Sequence, residues 1–301
     1  MYKRVIAMIE NNYEKNIVEI VEEHPCPNGS EWLVYQYKKT SPLILAAWRE
    51  GNKHHFVCKV GKENLKLVPS LSAAGIEEVK VDNNYIYITY AGLAGAGVGA
   101  ELRKTAENVV DIKILNKGGG SKLGRSQVIT PKMEKLVIGI DDTDNKEKGA
   151  TWVLAHKIGL EIERLKLGYY LDHTIIQLYP GTPNKTQNCV SIALSFATLP
   201  ENKDKIIDKV VDILKKESYS DKTAIAVYNG LFASKSMKLF TLKAKREIVS
   251  LEEAKQIALR NNIKLIPIKG EEGLVGAVAA LGLAECHKLA AKLYEDIEKN
   301  K

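Results

Sequence analysis

Between Lys117 and Pro131 the chain carries Gly118-Gly119-Gly120, Gly124 and Pro131, and the residue pattern differs on the two sides of this stretch. Glycine clusters and proline interrupt helices and ladders alike, so one folding unit is expected to end here. A chain of 301 residues is also longer than a single hydrophobic core usually needs. Two domains are therefore expected, over residues 1–131 and 132–301.

The first segment reads as β-rich. Val5–Ile9, Ile17–Val21, Trp32–Tyr37, His55–Val60, Ile76–Val81 and Tyr85–Tyr90 are short runs of β-branched and aromatic residues. Asn11-Asn12, Pro27-Asn28-Gly29, Gly51-Asn52 and Asp82-Asn83-Asn84 supply turn signals between them. Glu78–Tyr90 has the pattern of a hairpin, and a helix near Gly97–Asn108 and a strand at Asp111–Leu115 are expected after it.

The second segment alternates strand and helix. Leu136–Ile140, His173–Tyr179, Val190–Ala197, Ala224–Tyr228 and Ile263–Ile268 read as strands. Gly149–Leu167, Lys205–Lys216, Leu251–Asn261 and a long Leu274–Glu298 read as helices. The whole chain thus classes as α+β or α/β: a β-rich domain, then a mixed-sheet domain for which this order allows a ferredoxin-like arrangement.

Hydrophobic residues make up 45% of the chain, as in a globular protein. No apolar run approaches the roughly 20 residues that span a bilayer, and Met1–Ile6 lacks the pattern of a signal peptide. A cytoplasmic protein without membrane contact is the expectation. Cys26, Cys58, Cys189 and Cys286 form no closely spaced pair, which argues against a zinc ribbon and for reduced thiols. The net charge of +7 comes from lysines interleaved with acids, the pattern of a solvated surface as much as of a polyanion site.

Gly139-Ile140-Asp141-Asp142-Thr143-Asp144 is the strongest chemical signal. An apolar strand delivers three carboxylates within four residues, just before a helix. Such carboxylates stay ionised together only if a cation or solvent offsets them. Magnesium binds one or two carboxylates with phosphate oxygens, and strand ends collect such ligands. The plainer reading is an Asp-rich turn that caps the helix.

Tyr179–Asn188, stiffened by Pro180, Gly181 and Pro183, presents Lys185, Thr186 and Asn188 in a row, suiting a phosphate or nucleotide. An ordinary polar connection would look similar. Ser220-Asp221-Lys222-Thr223 precedes a strand, and Gly273 and Gly276 open a helix of small residues whose amides could approach an anion, or whose size could serve close packing.

Two glycine-rich stretches of the first segment remain. Gly95–Ala100 fits a GxGxxA spacing, but the preceding strand alternates and no acid closes the next one, so close packing is the better reading. Gly119-Gly120-Ser121-Lys122-Leu123-Gly124-Arg125-Ser126 has P-loop-like spacing without the helix that motif needs. As a flexible basic loop, with Gly119, Gly120, Lys122 and Arg125, it could still cover phosphates.

Taken in order, Gly139–Asp144, Pro180–Thr186, Asp221–Thr223 and Gly273–Ala280 resemble motifs of the archaeal tRNA-isoleucine 2-agmatinylcytidine synthetases. That resemblance covers about half the chain. It implies ATP and magnesium, with Asp141, Asp142 and Asp144 as metal and phosphate ligands and Lys185 and Thr186 near the nucleotide. The oligonucleotide-binding fold and zinc ribbon that hold tRNA in that family are absent from the sequence pattern, and Gln187 stands where that family has an arginine. Over its whole length the chain resembles the methanogenesis marker protein 11 family, through Ala91–Gly99, Gly118–Lys122 and Tyr179–Asn188. This implies a methanogenic archaeon and a role linked to methanogenesis.

The combined expectation is a magnesium-dependent ATP-binding enzyme, transferase-like, that phosphorylates or activates an unknown acceptor. Asp141 and Asp142 are its expected catalytic residues, with Thr143 among the nucleotide contacts. A non-catalytic nucleotide-binding factor for a methanogenesis enzyme and an RNA-modifying or RNA-binding protein are the alternatives. Nothing in the sequence fixes the oligomeric state.

Overall fold

The β-branched and aromatic runs pair as antiparallel strands in the structure, a computed structural model that describes residues 2–10, 16–24, 26 and 31–299. The expected turns at Asn11-Asn12 and Pro27-Asn28-Gly29 lie outside the described residues. The chain divides into two units, Met1–Glu134 and Lys135–Lys301.

In the first unit, β1 (Arg4–Ile9), β2 (Ile17–Glu23), helix α1 (Glu31–Thr40), β3 (Ile44–Glu50) and β4 (Lys53–Lys59) come first. Their strands form an antiparallel sheet ordered β1-β2-β4-β3. A second antiparallel sheet follows, from β5 (Gly61–Lys62), β6 (Ala74–Val81), β7 (Tyr85–Leu93), β8 (Asp111–Asn116) and β9 (Leu123–Pro131). Its order is β5-β6-β7-β9-β8, with β8 at one edge. Helix α2 (Gly95–Glu101) and a 3-10 turn at Leu102–Thr105 sit between β7 and β8. Val5, Ile20, Phe56, Ile76, Ile88 and Val128 belong to one core shared by both sheets.

Three expectations change here. Trp32–Tyr37 is helical, because Val34 and Tyr37 bury one face at i, i+3 spacing between Glu31 and the terminal Lys38 and Lys39. The expected helix near Gly97–Asn108 stops early, at Glu101, before the 3-10 turn. Leu123–Pro131 is an inner strand rather than part of a linker. Its Gly124 is a packing residue: a methyl there would lie 2.6 Å from the Cα of Gly97 in α2.

Arg103 is fully buried in this unit. Its guanidinium reaches both oxygens of buried Glu22, Nε to Oε1 at 2.6 Å and Nη2 to Oε2 at 2.9 Å. The rings of Tyr2 and Tyr90 flank it at 4.2 and 3.8 Å, and the Tyr90 hydroxyl donates to Glu22 Oε1 at 2.6 Å. Burial alone would push the Glu22 carboxyl up; Arg103's charge and these hydrogen bonds outweigh it and leave it below its usual range.

The second unit begins with β10 (Glu134–Asp141), α3 (Thr151–Arg164), β11 (Tyr169–Gln177), β12 (Val190–Thr198), α4 (Lys203–Glu217) and β13 (Ala224–Asn229). The sheet order β11-β12-β10-β13 with this succession is the split βαβ, ferredoxin-like arrangement. Then come α5 (Lys235–Arg246), α6 (Leu251–Arg260), β14 (Lys264–Pro267), which extends the sheet beside β13, and α7 (Leu274–Leu281), α8 (His287–Ala291) and α9 (Tyr294–Glu298). The expected single helix over Leu274–Glu298 is these three pieces. The apolar run of α7 is buried almost throughout, whereas the segments after it have mostly exposed or half-buried residues.

Two cores lie on the two faces of this sheet. Leu136, Ile138 and Ile140 of β10 join Ile158 and Ile162 of α3 and Val210 of α4. Val137, of opposite parity, joins Phe240 of α5 and Ala277 and Val278 of α7. That period of two decides which side of β10 meets which helices. The α+β class is thus what the structure shows. Among the described residues no helix is long and apolar enough to cross a membrane.

Candidate functional site

Helix α7 lies directly on the backbone of β10. A methyl at Gly139 would stand 1.9 Å from the Ala277 carbonyl oxygen, and one at Gly276 would stand 1.5 Å from Asp141 Oδ2. No side chain fits at either place. The glycines therefore let the first turns of α7 close over the end of β10, and Asp141, of the same parity as Gly139, places its carboxylate against Gly276.

Asp142 has a left-handed backbone, with φ of +53°, a conformation that costs a non-glycine residue free energy. The strand register sets Asp141 opposite Ala224, so the preceding Thr223 reaches across. Its hydroxyl donates to the Asp142 carbonyl at 2.7 Å and helps hold the turn. Thr143 then turns inward. It is buried, its hydroxyl donates to Thr151 Oγ1 at 3.1 Å, and its carbonyl accepts from the Tyr219 amide at 2.8 Å.

Asp144 is held from two sides. Thr151, at the start of α3, donates to Oδ1 at 2.8 Å, and Thr186 from the loop after β11 donates to Oδ2 at 3.3 Å. The Thr186 bond joins the acidic turn to the loop that the sequence marked separately. Lys185 in that loop donates to the Pro180 carbonyl.

These elements surround a cleft of about 490 Å³, inside the ordinary range for small-ligand sites. Asp141, Asp142, Asp144, Lys185, Lys222 and Glu272 line its polar part; Leu178, Tyr179, Ala244, Ile248 and Val249 give it an apolar part. Thr186, Asn188 and Gly276 also line it. Burial, and then the charge of Asp142, pushes the Asp141 carboxyl well above its normal range. Burial pushes Asp142 up to about 6 although Lys222 pulls the other way, with Asp144, Glu272 and Asp221 adding to the rise. Burial also raises the nearby Cys189 thiol to about 11, with a further push from Asp141.

Two adjacent carboxyls in this state bind a proton unless a cation replaces it. Carboxylate oxygens are hard donors of the kind magnesium takes together with phosphate oxygens, and all three aspartates line this one cleft.

Of the other residues expected at a site, Gly273 and Thr143 do not line this cleft, and four belong to the first unit. Gly273 does not face the cleft; it spaces the start of α7 from β13, where a methyl would meet the Lys222 carbonyl at 2.5 Å. Thr143 stands behind the acidic turn, beside Gly149 and Lys157. Gly119, Gly120, Lys122 and Arg125 belong to the first unit. There Arg125 pairs with Glu77 through Nε and Nη2 at 2.8 and 3.1 Å, and the Ala94 amide donates to the Lys122 carbonyl at 3.0 Å.

Sequence reasoning missed Thr151 and the Glu247–Val249 stretch, which lines the cleft after α5. Thr151 carried a signal, a hydroxyl at the first position of a helix just after the acidic turn. The α5 contribution carried none, because that helix was not foreseen.

Comparison with known proteins finds a family-model match in this same unit. The family model described as the TiaS TCKD domain matches residues 137–206. The tRNA-isoleucine 2-agmatinylcytidine synthetase TiaS of Pyrococcus horikoshii is 30% identical over 152 residues, 49% of this chain and 35% of its own. The TiaS of Thermococcus sibiricus is 30% identical over 167 residues, 54% of this chain and 38% of its own. The chain thus spans little more than a third of the length of these relatives. A crystal structure of TiaS in complex with its tRNA and ATP aligns with 50% of this chain and 36% of that one at 24% identity and a TM-score of 0.44. Over its full length, the chain belongs to the family of the uncharacterized protein MJ0921 of Methanocaldococcus jannaschii, with 72% identity over 297 residues, 99% of this chain and 98% of that one.

Proposed function

We propose that the second unit binds ATP together with magnesium, and that the protein uses the nucleotide to phosphorylate or otherwise activate an oxygen of an acceptor. The convergence of Asp141, Asp142 and Asp144 with Lys185 and Lys222 on one nucleotide-sized cleft carries this reading. The 30% identity to synthetases across this same unit supports it.

Asp141 and Asp142 would hold the metal, with Asp144 as the third carboxylate, kept in orientation by Thr151 and Thr186. Bound there, magnesium would neutralise phosphate charge. Lys185, Thr186 and Asn188 would bind the phosphates, with Lys185 exchanging the Pro180 carbonyl for a phosphate oxygen. Gly276 leaves room for the Asp141 carboxylate. The apolar part of the cleft, at Tyr179, Ile248 and Val249, would exclude water from the base or the acceptor.

The acceptor we have in mind is a cofactor, a protein side chain or an RNA base, in a process linked to methanogenesis, as the resemblance to the marker family implies. An RNA acceptor draws on the name of the relatives, which are tRNA 2-agmatinylcytidine synthetases.

Calorimetric titration with ATP should show binding in millimolar magnesium and none in excess chelator. Equal affinity under both conditions would mean that the aspartates serve no metal–phosphate site. Release of ADP, AMP or pyrophosphate that depends on an added acceptor would separate an enzyme from a nucleotide-binding factor.

Lys185→Ala should weaken ATP binding by about 1.5–3 kcal/mol, the usual worth of a charged hydrogen bond. Its circular dichroism and melting should stay as in the parent, since Lys185 is half-buried in a loop and its bond goes to the carbonyl of Pro180 in the same loop. Loss of the fold would make this loop a structural element instead.

A further inference from the structure

Strand β8 (Asp111–Asn116) ends the second sheet of the first unit: β9 pairs with one side of it, and among the described residues no strand pairs with the other. Open strand edges are normally blunted by charge, proline or cover. Among the described residues nothing covers this one. Val110, Ile114 and Leu115 are 56%, 44% and 51% exposed, and every residue of β8 but Ile112 is exposed.

An antiparallel ladder turns the amide of every second residue away from its partner strand. The Ile112 amide donates to the side chain before it, Asp111 Oδ1 at 2.8 Å. The only charges along the strand are Asp111 and Lys113, of opposite sign and equally spaced about Ile112.

That symmetry makes the edge complementary to itself. We infer that β8 is a homodimer interface, in which two copies of this chain pair antiparallel through β8 about a two-fold axis at Ile112. In this register Asp111 lies across from the partner's Lys113, and Lys113 across from the partner's Asp111. Ile112 faces the partner's Ile112, and the Ile114 side chain comes beside the partner's Val110, whose amide stays on the Ile129 carbonyl of β9 at 2.8 Å. The Ile112 amide exchanges the Asp111 carboxylate for the partner's Ile112 carbonyl, which frees that carboxylate for the ion pair. Such an isologous contact closes on itself, so it yields a dimer and not a fibre. Edge charges that only prevented association would not need opposite signs in mirrored places.

Sedimentation equilibrium of the full chain tests this. The parent should sediment at twice the 33.4 kDa chain mass. Lys113→Asp places like charges opposite each other twice, and should raise the dimer dissociation constant by about tenfold or more. The exchange Asp111→Lys with Lys113→Asp restores both pairs and should bring the dimer back. Both side chains are exposed, and unchanged melting of the variants would confirm an intact fold. A monomeric parent at tens of micromolar overturns the inference. So does a dimer indifferent to Lys113→Asp, or a charge reversal that the exchange does not rescue.

Discussion

Arg103→Met should lower the stability of the first unit by about 3–5 kcal/mol, the usual cost of breaking a buried pair by removing one partner. The loss comes mainly from Glu22, which keeps its charge in a fully buried place where, among the described residues, the Tyr90 hydroxyl still donates to it. The flanking Tyr2 and Tyr90 rings would also lose the cation between them. Hydrogen exchange of amides in β2, β4 and β7 reads this unit apart from the other. Adding Glu22→Gln should recover part of the loss, because the stranded charge is then gone. The deficit should also shrink as the pH falls, since a buried carboxylate without its arginine takes up a proton more readily. In the parent the sign is opposite: the lowered Glu22 contributes stability above the usual carboxylate range, and this is lost only as pH falls through its depressed value. If Arg103→Met melts with the parent, the pair is not a determinant of this core.

The second large effect is expected at the acidic turn. Asp141→Asn should reduce magnesium-dependent ATP affinity by more than the roughly 10–100-fold that loss of even an outer partner of a metal site brings. Asp142→Asn should do the same. Neither variant should be less stable without ligand, because burial raises both carboxyls and neighbouring acids add to the rise, Asp142 at Asp141 and Asp144 at Asp142. A raised carboxyl favours folding at low pH and loses that contribution as pH rises through its folded value, so an amide removes a penalty at neutral pH. Calorimetry and thermal melting in magnesium and in chelator give the two halves of this result. Unchanged affinity in both variants would remove the acidic turn from the proposed site.

The two segments differ in how openly their residues declare the fold. Leu136–Ile140 is an unbroken apolar strand followed by acids, and β10 with its turn follows from that pattern. The helices at Thr151–Arg164 and Lys203–Glu217 show one apolar face each and were foreseen to within a few residues. Trp32–Tyr37 misled because a run of Trp, Leu, Val and Tyr has β propensity, while burial of only Val34, Gln36 and Tyr37 against the core selects the helix. Helix α5 was missed because its short apolar face is diluted by lysines at 235, 238, 243 and 245. Ile44–Glu50 begins a strand with exposed Leu45 and Ala46, which gives no clean alternation. Gly118 and Gly124 read as a flexible loop because glycine needed for close approach, as both are against Gly97, looks the same in sequence as glycine needed for freedom.

The residues of the candidate cleft were legible one by one and not in their assembly. Asp141, Asp142, Asp144, Lys185 and Thr186 each stood out by residue type and local setting. The Thr186–Asp144 bond, which spans 42 positions, has no local trace. Nor could sequence show that Thr143, placed between two cleft-lining aspartates, turns inward to Thr151.

The left-handed backbone at Asp142 has a consequence for how this family can change. Asparagine or glycine adopts that conformation more readily, and either would also remove a carboxyl that burial and neighbouring acids disfavour. Position 142 is therefore one where selection for a sturdier fold and selection for the proposed ligand pull in opposite directions. A library of this chain sorted only by resistance to heat should drift away from aspartate there early, and one sorted by ligand retention should not.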